Sequence, residues 1–315
     1  MNFDTASITL MAITLFAATV NGALGYGFSS LTVPVALLFY ANRVLNPTMV
    51  IVEVAINLFV LIMNIDSLPR VYKRVVPIVI GLVPGVYFGS QMLTSLHPSW
   101  IKFITYLVLL PLIFIQAAGI RRPLAAEKLI GLPFGANIGF LYSVTTISGP
   151  PLAVLFNNQG LVKKDFRAAL GIIRVAESGM TAIAYYKLGL FNAESRALVP
   201  LIVPSVVLGI PLGTLLIRRL DPETFRRICM SFDVWVVSFG LSRVIVDLKM
   251  MKAPLNYSVL VGAMILDAYM LYLFFTKRAR LAANPRPQVG MPHLNGPPPD
   301  PAGSRASFSP PPGGT

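Results

Sequence analysis

NGALGYGFSSLTVPVALLF, residues 21–39, breaks what would otherwise be one long apolar helix. Gly22, Gly25 and Gly27, then Ser29, Ser30, Thr32 and Pro34, put a polar, flexible seam between the apolar runs 6–20 and 31–41. In hydrocarbon every backbone N–H and C=O needs a partner, so non-helical backbone survives only where protein or a water-filled cavity surrounds it. The break returns in the second half of the chain as TTISGPPLAVLF, residues 145–156. Paired breaks of this kind are the sequence mark of a transporter's substrate site.

Composition sets the surroundings. Of 315 residues 55% are apolar and only 12% are charged, with a mean hydropathy of +0.70; soluble domains carry about 25% charged residues. Runs of about 18 or more nearly uncharged residues make this an all-α, polytopic integral membrane protein. A formal net charge of +13 would suggest nucleic acid in a soluble protein. Here the bases fall between apolar runs, as cytoplasmic loops require, and no nucleic-acid partner is expected. The single Cys229 cannot form an internal disulfide and offers no metal cluster, so neither metal nor cofactor is expected. MNFDTAS has no basic stretch ahead of its apolar run, which reads as a membrane segment and not a cleaved signal.

Apolar runs lie near 6–20, 28–41, 46–65, 76–95, 101–120, 129–147, 150–158, 166–188, 197–217, 226–247 and 254–276. The tail 278–315 holds ten prolines between Pro285 and Pro312, a composition that cannot bury a core and predicts disorder.

The chain also repeats itself. GVYFGSQMLTSLHPSWIK (85–102) aligns with GIPLGTLLIRRLDPETFR (209–226), so that Gly85 and Gly89 fall on Gly209 and Gly213, and Glu53 falls on Glu177 at the same offset of 124. TVPVALLF (32–39) matches GPPLAVLF (149–156) at 117, which implies about seven residues inserted after the second break. The expected organisation is a first transmembrane repeat at 1–121, a second at 122–250, an additional helix at 251–277 without a counterpart, and the Pro-rich tail at 278–315.

Charge decides the orientation of the repeats. If each broken segment crosses the membrane once, loop Lys and Arg divide almost evenly between the faces. If each is a hairpin returning to its starting face, the division is sixteen to seven. The Lys/Arg bias of cytoplasmic loops favours the second arrangement. It predicts two inverted repeats, each opening with a glycine-rich helical hairpin whose arms of about 14–19 residues fall short of a full span of about 20. The N-terminus would be periplasmic and the C-terminus cytoplasmic.

Ionisable groups within membrane helices are functional candidates. They are Glu53, Arg174, Glu177, Asp233 and Asp267. Arg174 and Glu177 stand three apart on one helix face. Arg174 could supply charge for an anionic substrate while Glu53 or Glu177 carries a proton; alternatively, Arg174 and Glu177 neutralise one another and lock the helix. Glu53 has only Asn57 on its own face, while Asp233 and Asp267 read as structural. At the second break Thr145, Thr146 and Ser148 precede Gly149, Pro150 and Pro151, and prolines suit a first helical turn. A helix start offers free N–H groups and the positive end of a dipole to an anion. Ser29 and Ser30 are placed similarly ahead of Pro34, and Asn21 and Asn137 add amides near the seams. The anion-site candidates are therefore Asn21, Gly25, Gly27, Ser29, Ser30, Asn137, Thr146, Ser148, Gly149, Pro150 and Arg174.

With GYGFSSLTVP (25–34), TISGPPLAV (146–154) and LDPETFRR (220–227), the chain resembles the sulfite exporter TauE/SafE family of membrane transporters over about residues 6–250. That resemblance implies two related halves and transport of small, often sulfur-containing anions across the bacterial inner membrane. Phe28, Ser29, Thr146 and Ser148 stand where glycines are frequent in the family, and the added hydroxyls point to a substrate that can differ from sulfite.

The expected function is a secondary transporter, an exporter, of sulfite, a sulfonate or another small organosulfur or carboxylate anion, coupled to protons. Its partners would be the solute and membrane lipid, with a homodimer also open to it. An enzyme is not expected, because the only histidines are His97, in a loop, and His293, in the tail, and a Walker motif is absent. The alternative is a structural or partner-binding membrane subunit acting through the Pro-rich tail.

Overall fold

The computed structural model describes residues 4–118, 127–158, 163–216, 219 and 221–283. The Pro-rich tail lies outside them. The chain divides at Tyr272, and the described part of the second unit, 273–283, is helical, with the Phe274 and Phe275 rings packed edge to face at 5.3 Å.

The described residues form helices joined by turns: α1 (Thr5–Leu24), α2 (Phe28–Ala36), α3 (Asn42–Ile62), α4 (Leu68–Ser95), α5 (Pro98–Ala117), α6 (Glu127–Thr145), α7 (Gly149–Asn158), α8 (Lys163–Lys187), α9 (Ala193–Leu216), α10 (Pro222–Asp247) and α11 (Ser258–Ala283). Among the described residues seven spans are long and apolar enough to cross a membrane: Thr5–Leu24, Asn42–Ile62, Ile65–Ser95, Pro98–Ile115, Ala193–Leu216, Glu223–Asp247 and Leu255–Thr276. The more polar α8 carries Arg174 and Glu177 in mid-length. Asp4 caps α1 by accepting from the Ser7 amide at 2.9 Å. The nearby Ser7 side chain, and then this cap, hold its carboxyl below the usual range.

Both breaks stop a helix by the same geometry. Gly25 (φ 85°) and Thr146 (φ 58°) take left-handed backbone, and their amides reach back to the carbonyls of Asn21 at 2.7 Å and Tyr142 at 2.5 Å. Gly27 (φ 108°) then turns the chain into α2. Threonine in this conformation is strained, whereas glycine adopts it freely. The arms differ from expectation: α1 has 20 residues, enough to span, while α2 has only nine and α7 ten. At about 1.5 Å per residue such short helices reach roughly half way through hydrocarbon. Tyr40, just beyond α2, lies near Ser7 and Asp4 at the start of α1, so the chain has come back to the level at which α1 began. Lys102 of α5 donates to the Leu37 carbonyl at 2.5 Å at this same level.

The two breaks also correct the alignment read from sequence. Gly25 and Thr146 are 121 residues apart, not 117, so three residues and not seven separate this register from the offset of 124 that relates Glu53 to Glu177.

Packing between the halves is crossed. α1 lies along α9 and α6 lies along α4, each pair joining one half to the other. A Cβ at Gly85 would overlap the Ala136 carbonyl and crowd the Phe140 amide, while one at Gly209 would sit 2.8 Å from the Leu15 carbonyl and 3.0 Å from the Thr19 amide. Gly89 meets the Phe140 carbonyl, and Gly213 meets that of Thr19. Leu15 and Ala136, like Thr19 and Phe140, are again 121 apart. The small-residue pairs therefore serve close backbone approach. Two larger apolar clusters follow from this arrangement. One joins α1, α2, α3, α5, α9, α10 and Ala263 of α11; the other joins α4, α6, α7 and α8.

Asp267 of the unduplicated α11 accepts from Arg227 Nη2 at 3.0 Å and Ser231 Oγ at 3.2 Å, both on α10, so this buried carboxylate fastens the added helix. Asp233 is buried on α10 beside Cys229.

Replacing Gly85 or Gly213 by Leu is expected to lower the thermal stability of the purified protein by about 1–3 kcal/mol through overpacking. Gly262→Leu, at a position with no heavy atom within 4 Å, is expected to leave it unchanged in the same melting assay.

Candidate functional site

The two breaks meet. A Cβ at Gly149 would lie 3.7 Å from Tyr26 Cβ and 4.0 Å from the Gly27 amide nitrogen, so the start of α7 abuts the turn that opens α2. The first amides of a helix have no intrahelical partners, and Gly27 has no side chain with which to cap its own. Two positive helix ends are thus brought together inside a membrane protein.

Carboxylates answer them. Ser29, in the first turn of α2, donates to Glu53 Oε1 on α3, and Ser148, immediately before α7, donates to Glu177 Oε1 on α8. At the 121-residue spacing of the two breaks, Ser148 falls on Gly27 and Ser29 on Pro150. Each half nonetheless ties its own glutamate to its own break.

Arg174 joins the halves. Its Nη2 donates to Glu53 Oε1 at 3.1 Å, with both side chains buried. The mutual lock of Arg174 with Glu177, one of the two sequence readings, is therefore not the ion pair that forms. The partner is Glu53, 121 residues earlier and on the facing helix. Asn57 Nδ2 donates to the Arg174 carbonyl at 3.4 Å and Ser178 Oγ donates to it at 2.5 Å, fixing the backbone from which the guanidinium projects. Tyr142 of α6 completes the set, its hydroxyl donating to Glu53 Oε2 at 2.7 Å.

The two glutamates now differ. Glu53 accepts from Ser29, Tyr142 and Arg174, and this ring of donors fits a carboxylate, which only accepts. Glu177 accepts from Ser148 alone, and its buried Oε2 has no hydrogen-bond partner among the described residues. Arg174 Nε is likewise buried without one. Such orphaned atoms in a packed interior call for a ligand, a proton or water.

The remaining candidates divide. Ser30 is buried and turns its hydroxyl onto the Gly27 carbonyl at 3.2 Å; Thr146 gives its own to the Thr145 carbonyl at 2.7 Å. Asn21 is buried in the last turn of α1, with Oδ1 unpartnered among the described residues. Gly25 lies against the side chain of Arg167 from α8. Pro150 belongs to α7, but its side chain lies outside the described residues. Asn137 is not brought to the others: it is exposed on α6 and donates to the Pro133 carbonyl one turn back at 2.9 Å.

Two residues at the breaks escape a sequence reading. Tyr142 looks like any apolar-run aromatic until its hydroxyl is seen to reach Glu53. Arg167 sits among Lys163, Lys164 and Asp165 and reads as loop charge, yet it flanks Gly25 with its Nε buried.

Comparison with known proteins gives a consistent result. The profile of the sulfite exporter TauE/SafE family matches residues 10–239. A protein of Cupriavidus necator described as "Probable sulfite/organosulfonate exporter TauE" is 26% identical over 164 residues, 51% of this chain and 64% of that protein. The chain therefore aligns with a little under two thirds of that relative's length. No solved structure gives a significant match.

Removing one partner of a buried ion pair strands the other charge. Arg174→Gln is expected to destabilise the protein by about 3–5 kcal/mol, and Glu53→Gln combined with Arg174→Gln to recover much of that loss. Thermal denaturation of the single and double variants checks it; a double variant no more stable than the single would remove the pairing from the account.

Proposed function

The chain belongs to the sulfite exporter TauE/SafE family, and from that premise we propose that it is a secondary transporter exporting a small sulfur oxyanion, sulfite or an organosulfonate, across the bacterial inner membrane. The observation that carries this reading is a buried arginine at the junction of two helix breaks, in a chain built of apolar spanning helices. A cation in hydrocarbon is expensive unless used, and such residues mark substrate pathways. Arg174 supplies the charge, Ser148 and Ser29 supply hydroxyls, and the starts of α2 and α7 supply amides, a set suited to several oxygens on one anion.

Within this site the roles of the two glutamates separate. Glu53 is the fixed counter-ion that orients Arg174, held by Ser29 and Tyr142. Glu177 is the proton carrier, since a proton on its unpartnered Oε2 breaks no existing hydrogen bond. Arg167 beside Gly25 offers a second cation along the path.

We read the halves as inverted repeats with the N-terminus periplasmic and the C-terminus cytoplasmic. Three observations support this. Tyr40 lies at the level of Ser7; the contacts of α1 with α9 and of α6 with α4 are equivalent; and this arrangement, unlike the alternative, gathers the loop Lys and Arg on one face. Alternating access would arise when one half rocks against the other around the junction, whose charged and hydroxyl groups are buried in the present conformation.

A thermal-stabilisation panel of sulfite, sulfate, sulfoacetate, taurine, thiosulfate and short carboxylates tests the reading. A true ligand at about 100 times its dissociation constant adds roughly 2.7 kcal/mol. Sulfite or a sulfonate is expected to stabilise the protein and to move across proteoliposomes containing it. A panel without a hit, or a hit confined to taurine's amine analogues, would contradict the anion site.

A further inference from the structure

The anion sites at the two breaks are already filled by the protein's own carboxylates. Ser29 and Arg174 hold Glu53, and Ser148 holds Glu177. A substrate anion therefore has to take a carboxylate's place, and the two places are unequally guarded. Glu53 has three donors, one of them cationic. Glu177 has a single donor, with Oε2 bare, and stands one helical turn from the bare Nε of Arg174.

We infer that Glu177 is a built-in stand-in for the substrate: the incoming oxyanion displaces it from Ser148, binds between the Ser148 hydroxyl and Arg174 Nε, and obliges Glu177 to take up one proton. This rests on the reading of the junction as the anion site. Charge balance supplies the reason. With Glu177 ionised, Glu53, Glu177 and Arg174 together carry one net negative charge. A monoanion added to them would make two in a buried setting, where uncompensated charge is costly. One proton on Glu177 restores the original sum. Substrate and proton then bind as a unit, with no separate coupling site.

The groups that face Glu177 are few. Among the described residues they are Glu53 on α3, Tyr142 on α6 and Arg174 on its own helix. α7 contributes no titratable side chain, and those of α4 stand in its first two turns or, at Tyr87, exposed on its surface. Tyr142 is engaged with Glu53, and Glu53 with Arg174. This leaves Glu177 to answer the added charge.

Isethionate, a monoanionic sulfonate across the whole range, is the probe. Its dissociation constant for the purified full-length protein, measured from about pH 6 to about pH 10, is expected to be level where Glu177 is already protonated in the free protein and to rise up to tenfold per pH unit above that point. Glu177→Gln, which removes the competing charge, is expected to bind at least as tightly as the wild type at low pH and equally at every pH. Ser148→Ala and Arg174→Lys are expected to weaken binding at least tenfold throughout. Lysine can keep the ion pair with Glu53 but has no second nitrogen to offer the anion. A pH-indicator dye supplies a readout on the wild type alone: proton uptake that grows towards one per isethionate bound at the alkaline end of that range.

Binding that is sensitive to Arg174→Lys but flat with pH, with no proton uptake, overturns the displacement step and leaves the anion site standing. Binding indifferent to both Arg174→Lys and Ser148→Ala, or no binding at any pH, overturns the site itself and this inference with it. Weaker binding by Glu177→Gln at every pH, in a variant that melts like the wild type, makes Glu177 a ligand and not a competitor, and also overturns the inference.

Discussion

A guanidinium buried between membrane helices constrains everything around it. Arg174 cannot be left unpaired in that setting, and its partner, Glu53, belongs to the other half of the chain. The pair therefore fixes how α3 and α8 face each other. Because each glutamate is tied by a serine to a helix break, the pair also fixes where the two breaks meet. The junction at Gly27 and Gly149 follows from satisfying one cation and two carboxylates, together with backbone that has left the helix.

The crossed packing makes that junction possible. α1 and α6 do not lie beside their own neighbours in the repeat but along α9 and α4, where glycines let backbone approach backbone. Neither half would be a complete bundle alone, and both major apolar clusters draw on both halves. The two broken segments share a geometry, but the chemistry around them is unequal. The position equivalent to Arg174 is Val50, and the position equivalent to Tyr142 is Asn21. One half thus contributes the cation and the tyrosine, and the other a glutamate that both of them hold.

Much of this was legible in the sequence, for definable reasons. Helix breaks are written in glycine, proline and hydroxyl residues, apolar spans in composition, and the duplication in glycine pairs that cannot be replaced. Ser29, Ser148, Arg174 and the two glutamates stood out because polar groups are conspicuous in apolar runs. Tertiary pairing stayed hidden. Local spacing put Glu177 beside Arg174, and only the meeting of α3 with α8 reveals that the charge goes to Glu53. Tyr142 was invisible because a tyrosine in an apolar run signals nothing by itself. Asn137 was misleading because nearness to a break in sequence does not say which face of α6 the residue occupies. The register of the breaks slipped because the apolar letters after them match well at 117, whereas the left-handed residues that end α1 and α6 are a glycine and a threonine with no letter in common.

The claim on which the account depends is that one anion sits where the two breaks meet. Selenite carries the pyramidal oxyanion geometry of sulfite and an atom that scatters anomalously. Crystals of the protein soaked in it allow the site to be located directly in an anomalous difference map. The account predicts a peak between Ser148 and Arg174, at the start of α7. A strong peak elsewhere in the membrane region, with none at the junction, would contradict it.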